Sequence, residues 1–406
     1  MALKPSWITS ANNAKTGFPL NNLPYGVFSI GGERRCGVAI GDFILDVTAT
    51  ESLFALADDP IFAQASWNGF MALGPEAWAG FRQKLQAVLA MGAPEQAALE
   101  PYLHPQSEAK MHMPFAVAEF TDFYSSRFHA ENMGEILRGT KGLPANWLHI
   151  PIGYNGRASS VVVSGTPIRR PLGQLGEGRF GPSEKLDIEL ELGAIIGTGS
   201  AMGQPVSTAE AEDMIFGFVL LNDWSARDIQ AWEYQPLGPF QGKAFASSIS
   251  PWIVTKAALE DFRRPAPPRE VPLLPYLLES RPSLYDIELS AYLGGERISR
   301  TNATRLYYSA AQQLAHHSLC GCPMRVGDLL GSGTISGPAP EEFGSLMELS
   351  WNGEKPLKLA DGERCFIEDG DTLTLKGHAQ GEGFRVGFGT CEGTILPAIN
   401  TPDRAR

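Results

Sequence analysis

The sequence predicts a mainly β protein with some α, divided into a smaller first domain (residues 1–115) and a larger β-rich, mixed domain (residues 116–406). Three observations carry that expectation. The 406 residues include 44 glycines and 30 prolines, about 18% of the chain, where average usage is about 12%, so turns are frequent and elements short. Apolar runs of strand length, alternating or β-branched, recur at close spacing. Stretches of helical periodicity are few. Hydrophobic residues make up 43% of the chain, enough to fill a core and to exclude wholesale disorder.

Along the first domain, Tyr25–Ile30, Arg35–Ile40 and Phe43–Val47 read as short strands joined by turns at Gly31-Gly32 and Gly41-Asp42. An Ala- and Leu-rich helical stretch follows over Pro75–Leu103, interrupted by Gly92 and Pro94. Three prolines and a serine between Pro101 and Pro114 place the boundary. No histidine precedes His104, and no cluster of reactive groups occurs, so this domain reads as structural.

In the second domain the strands are expected at Ser159–Ser164, Leu186–Leu192, Met214–Leu221, Tyr285–Leu293, Phe343–Trp351, Thr372–Lys376 and Phe384–Phe388. Two helices interrupt them. One covers Trp224–Tyr234; the other covers Thr304–Ser318, with Leu306, Ala310 and Leu314 on one face. No repeat of fixed period appears.

The formal net charge of −12 argues against broad nucleic-acid binding and requires a local cationic pocket for any anionic ligand. Met1–Leu20, interrupted by Lys4, Pro5, Asn12, Asn13 and Lys15, lacks the apolar stretch of a secretory leader. The longest apolar run, Met214–Leu221, is less than half of the ~20 residues that span a bilayer. Five scattered cysteines do not form a disulfide framework. The expectation is a soluble cytoplasmic protein with no membrane partner.

Some patterns imitate known motifs. Gly197–Gly203 and Gly331–Gly337 each have one residue too many for a dinucleotide loop, and Pro205 and Pro338 stand where a phosphate-facing helix must start. His316-His317 with Cys320 and Cys322 suggests zinc, but adjacent helical residues point about 100° apart and no second ligand pair is spaced to help. No GxSxG elbow is present.

Chemistry concentrates in four segments. In Leu186-Asp-Ile-Glu-Leu-Glu-Leu192, a strand would set Asp187, Glu189 and Glu191 on one face at ~7 Å spacing. At an effective dielectric of about 20 each neighbouring pair repels by about 2 kcal/mol, which suits either a solvated edge or a bound divalent cation. In Asn222–Tyr234, helical spacing would align Asp223, Arg227, Gln230 and Tyr234 as a stripe of acid, cation, amide and phenol, a pocket lining rather than a plain surface. Thr121–His129, followed by Arg138, contributes one histidine near Tyr124, and Gly238–Ser247 a single lysine, Lys243, in a loop shaped by glycine and proline. Together they offer acids for a metal, one base and several cations, a set suited to hydrolysis or lyase chemistry at an activated carbonyl.

The segments TDFYSSRFHA, GYNGRASSVVVSGTPIRRP, LDIELELG, LNDWSARDIQAWEYQPLGPFQGKAF, SGTISGP and FGSLMELSW resemble those of the fumarylacetoacetate hydrolase family, and NLPYGVFS and GEGFRVGFG extend the likeness over nearly the whole chain. The resemblance implies a small N-terminal SH3-like barrel and a large C-terminal mixed β roll that forms a homodimer. It implies hydrolysis of the C–C bond of 4-fumarylacetoacetate, a dicarboxylate diketone, to fumarate and acetoacetate, the last step of tyrosine and phenylalanine breakdown. The alternative is a related metal-dependent hydrolase or decarboxylase acting on another acylpyruvate or oxo-acid. By the same resemblance, Asp122, Glu189, Glu191 and Asp223 would bind Ca²⁺, and Asp223 with the Lys243 and Ser247 region would bind Mg²⁺. His129 would be the base, oriented by Glu348. Arg227, Gln230 and Lys243 would stabilise negative charge, and Tyr124, Arg138, Tyr154, Gln230, Tyr234 and Thr334 would hold substrate. Where the family pattern carries Gly-Thr, this chain has Ala246-Ser247.

Overall fold

The computed structural model describes residues 2–54, 56 and 60–400. The chain is mainly β with some α. Near the N-terminus, Tyr25–Ile30 pairs antiparallel with Glu33–Ile40 across Gly31-Gly32, both at positive φ, a backbone region open to glycine without a steric penalty. Phe43–Asp46, Leu103–Pro105 and Lys110–His112 complete a five-stranded sheet in which every pairing is antiparallel. The helix Pro75–Val88 begins with proline at its first position, where no N–H is needed, and turns Phe81 and Leu85 inward. Tyr25 stacks on Trp67 at 4.3 Å between centroids, with Phe62, Phe70 and Phe81 around them. Reciprocal backbone hydrogen bonds between Tyr25 and Ile253, 2.9 and 2.7 Å, tie this sheet to the rest of the chain.

The large sheet runs in the order Gly153–Asn155, Phe120–Phe123, Leu329–Gly331, Leu190–Ile196, Ile215–Asp223, Ser247–Ile249, Val161–Val163, with Val254–Thr255 also paired to Ile215–Asp223. Two of its pairings are parallel, Phe120–Phe123 with Leu329–Gly331 and Ser247–Ile249 with Val161–Val163. Every residue of Leu190–Ile196 and Ile215–Asp223 is buried, as expected of strands covered on both faces. A second sheet contains Glu288–Leu293, Glu296–Asn302, Thr372–Gln380 and Arg385–Leu396, with Ile168–Arg169 at its edge. Its Leu289, Leu375 and Val386 share one core with Leu220 and Trp224.

Several expected elements differ from the fold. The helix expected over Thr304–Ser318 is confined to Ala310–Ser318, capped by Ser309, and the strand expected over Tyr285–Leu293 is split into Leu284–Tyr285 and Glu288–Leu293. Leu186–Leu192 is not one strand: Leu186–Asp187 pairs with Ser225–Ala226, and the long strand starts only at Leu190. Between them the Asp187 carboxylate accepts the Ile188 N–H, and the Asn222 side chain accepts the Glu189 N–H, replacing ladder bonds. The helix expected over Trp224–Tyr234 spans Arg227–Glu233, because Asp223 still belongs to the preceding strand and Trp224 is core. The strand expected over Phe343–Trp351 is a helical turn at Leu346–Leu349. Ser345 caps it, accepting the Glu348 N–H at 3.3 Å, so the Ser-x-x-Glu spacing outweighs the apolar alternation.

Candidate active site

The ends of adjacent strands gather the acids. Asp122 is the penultimate residue of Phe120–Phe123, opposite Gly331 and Tyr154, and Asp223 closes Ile215–Asp223 opposite Ser247. Glu189 stands in the break before Leu190, and Glu191 lies just inside the next strand. Asp122, Glu189 and Asp223 are buried and present oxygens within 4.8 Å of one another. Glu191 stands outside that set and accepts the Gly333 N–H at 2.9 Å. Gly331 makes room: a Cβ there would lie 2.5 Å from Asp122 Oδ1 and 3.1 Å from Glu191 Oε2.

Two cations answer these acids. Lys243 Nζ lies 2.7 Å from Glu189 and 2.8 Å from Asp223, and Arg227 Nη1 lies 2.8 Å from Glu189. The lysine is not in an open loop: it is buried on the turn Gln241–Ala244, which packs so closely on Gln230 that a Cβ at Gly242 would sit 2.8 Å from Gln230 Cβ. Burial opposes the charge of Lys243, but Asp223 and Glu189 outweigh it and raise its pKa, so its ammonium is a charge partner of both acids. Burial likewise opposes Glu189, yet Lys243, Arg227 and His129 hold it below the usual carboxylate range. Asp122 and Glu191 go the other way. Burial first, then the neighbouring carboxylates, pushes both well above that range.

Asp122 Oδ1 and Glu191 Oε1 have no hydrogen-bond donor although buried. Oxygen-only ligands, excess negative charge and orphaned acceptors fit a hard divalent cation. In metal-free protein, folded Asp122 and Glu191 keep protons that the unfolded chain loses above about pH 4. Stability should therefore fall as pH rises through that window, by up to about 1.4 kcal/mol per unit per group. Denaturation midpoints of chelated protein across this range should decline relative to metal-saturated protein. Parallel curves would show that these carboxyls are ionised without metal.

Beside the acids, His129 Nδ1 lies 2.7 Å from Glu348 Oε2, both buried. His129 is on the helix Arg127–Arg138 and Glu348 on the turn Leu346–Leu349, 219 residues apart in sequence. Glu348 also accepts hydrogen bonds from Asn132 at 2.8 Å, Ser336 at 2.9 Å and Ser345 at 2.8 Å. Burial would raise its pKa, but His129, Asn132 and Ser345 prevail and lower it. An ionised Glu348 can only accept, so Nδ1 carries the ring proton and Nε2 is left as a base.

The remaining expected residues divide between floor and rim. Tyr124 meets the His129 ring edge-on at 5.5 Å between centroids. Tyr154 donates to Asp223 at 3.0 Å, Ser247 donates to Asp223 at 2.7 Å, and Gln230 accepts from Arg227 at 3.1 Å. Thr334 is buried with an unpartnered hydroxyl. Arg138 and Tyr234 are exposed; Arg138 bonds to the Gly142 carbonyl, and the Tyr234 hydroxyl to Gln235. The stripe expected from Asp223 to Tyr234 is therefore broken at both ends. Asp187, expected on the acidic face, instead binds Arg227 at 2.7 Å. Sequence reading missed Asn132, Ser336 and Ser345 around Glu348; of these only Ser345, at cap spacing, left a local signal.

A mainly β fold with a buried carboxylate set that could hold a metal ion, two cations and a His–Glu pair has the make-up of a hydrolase-type enzyme. The chain matches "Fumarylacetoacetase N-terminal" over residues 21–114 and "Fumarylacetoacetate (FAA) hydrolase C-terminal" over 119–396, and so belongs to the fumarylacetoacetate hydrolase family. It is 48% identical to fumarylacetoacetase of Homo sapiens, covering 94% of this chain and 97% of that one. With fumarylacetoacetase of Arabidopsis thaliana the identity is 46%, covering 98% and 100%. In fold it is similar to a fumarylacetoacetate hydrolase from Exiguobacterium antarcticum, with TM-score 0.55 and 17% identity over 92% of this chain and 99% of the other.

Proposed function

We propose that this chain hydrolyses the C–C bond of 4-fumarylacetoacetate to fumarate and acetoacetate. The observation that carries the reading is the convergence of the His129–Glu348 pair with the buried acids and cations, in a chain 46–48% identical to fumarylacetoacetases over nearly its full length. The substrate and the reaction follow from that relationship. The resemblance also supports Ca²⁺ at the carboxylate set, Mg²⁺ beside Asp223, a homodimer and a cytoplasmic setting. Among the described residues no helix is long and apolar enough to cross a membrane.

The chemistry follows from residue types. A water held at His129 Nε2 loses a proton to the ring as its oxygen attacks the carbonyl carbon of the fumaryl group itself. Glu348 offsets the imidazolium charge, as the acid of a catalytic triad does. Lys243, Arg227 and Gln230 face the negative charge that grows on oxygen. The carbon–carbon bond then breaks, its electron pair leaves with the acetoacetate carbon as an enolate, and the imidazolium returns its proton there. A bound divalent ion would add Lewis-acid polarisation of the diketone oxygens. No covalent enzyme intermediate is required.

The direct test is loss of fumarylacetoacetate absorbance with purified protein, with fumarate and acetoacetate identified as products. Intact substrate in metal-supplemented enzyme would refute the reading. Arg138, at the rim and within electrostatic reach of Tyr124, is assigned to a substrate carboxylate. Arg138→Met should raise KM about tenfold or more and leave kcat nearly unchanged, because binding common to ground and transition states is lost. An unchanged KM with reduced kcat would move Arg138 into the chemical step.

A further inference from the structure

We propose that Asp187 is a positioning residue that joins the two halves of the site, holding Arg227 on one side and the turn that carries Glu348 on the other. The inference rests on the hydrolytic reading above. Asp187 is fully buried, and its two oxygens receive four donors. Oδ2 accepts Arg227 Nε at 2.7 Å and the Met347 N–H at 3.0 Å; Oδ1 accepts the Leu346 N–H at 2.6 Å and the Ile188 N–H at 2.7 Å. That fills the acceptor capacity of a carboxylate.

Each bond reaches the chemistry in one further step. Arg227 continues through Nη1 to Glu189, inside the metal-type set, and to Gln230. Leu346 and Met347 are the first two residues of the turn, and the third is Glu348, which holds His129. Asp187 supplies the acceptors for two backbone N–H groups that such a turn leaves without intrahelical partners, and Ser345 supplies the one for Glu348. The two-residue pairing of Leu186–Asp187 with Ser225–Ala226 places this carboxylate directly ahead of Arg227. The acid that would crowd a metal face in an unbroken strand is thereby turned to a different task. It sets the distance between the base and the cations that meet the oxyanion.

Asp187→Asn keeps volume but replaces one acceptor oxygen by an NH₂, which must face either Arg227 or the turn's N–H groups. The expected result is a kcat lower by about 10²-fold, the size of effect that ~1 Å misplacement produces, with KM within about threefold and metal affinity preserved. In the Glu348→Gln background the same substitution should cost less than about fivefold, because both act on the same element. Wild-type turnover is measured first. Its absence counts against the proposed activity, whereas active wild type with Asp187→Asn retaining kcat overturns this inference alone. A purely structural role predicts the same fold-loss in both backgrounds, tracking the fall in Tm, and that outcome also overturns it. If Asp187→Asn does not fold, Asp187→Glu keeps the charge and shifts it by one methylene, and the same kcat loss and non-additivity are expected. Failure of both variants to fold would assign Asp187 to the core and refute the proposal.

Discussion

Glu348→Gln is expected to leave a folded, metal-binding protein whose kcat is lower by about 10²-fold or more, by analogy with the ~10⁴-fold loss when the acid of a catalytic triad becomes its amide. The fold should survive because an amide oxygen at the Oε2 position can still accept from His129, Ser336 and Ser345. The new NH₂ would face Asn132, whose own amide can turn over and accept. What disappears is the negative charge, in a site buried enough that water cannot replace it. His129→Ala should lose at least as much, and adding Glu348→Gln to it should cost little more, since the two act as one unit. Losses that multiply independently would show that the pairing does not serve the reaction. Acid should mimic the substitution. The folded pKa of Glu348 is depressed, so its contribution to stability is present above the ordinary carboxylate value and is lost as pH falls through the folded one.

Exhaustive removal of divalent metal is expected to abolish turnover, and adding back Ca²⁺ or Mg²⁺ to restore it. Among the described residues, Lys243 and Arg227 are the only Lys or Arg side chains paired with the four buried carboxylates, and Arg227 is shared with Asp187. Two of their oxygens have no donor. Metal that binds only the folded chain should raise the unfolding free energy, by about 2.7 kcal/mol at a hundredfold excess over Kd. Asp122→Asn should act in opposite directions on the two readouts. It removes a ligand and weakens metal binding, and it removes the cost of protonating a buried carboxyl on folding, which raises the stability of chelated protein near neutral pH by about 1 kcal/mol or more. Full activity in protein shown metal-free by elemental analysis would sink the proposal that metal is required.

The legibility of this site varied with how local its causes are. Asp122, Glu189, Glu191 and Asp223 are visible as acids embedded in apolar runs, where an unpaired charge is costly. Lys243 stands out as one cation among small residues. The Glu348 turn is ambiguous in the sequence because Leu346, Met347 and Leu349 suit a strand as well as a buried helical turn, although Ser345 at cap spacing favours the turn. Periodicity sets the helix start three residues ahead of Arg227 because a strand with every residue buried has no alternation to mark its end.

The sequence by itself determined the β-rich class, the turns at glycine and proline, the family, and which residue types are available for chemistry. These follow from backbone preferences, side-chain periodicity and long specific motifs, all of which act over short stretches of chain. Tertiary structure decided which acids keep a free oxygen and which are neutralised. Asp187, Glu189 and Glu191 look equivalent in the sequence, yet one caps a turn and binds Arg227, one binds both cations, and one keeps an orphaned oxygen. That sorting depends on Arg227, Gly331 and Leu346, brought in from other strands and turns. A carboxylate's protonation and partners are set by the charges and donors within a few ångströms of it, and only the folded chain assembles those.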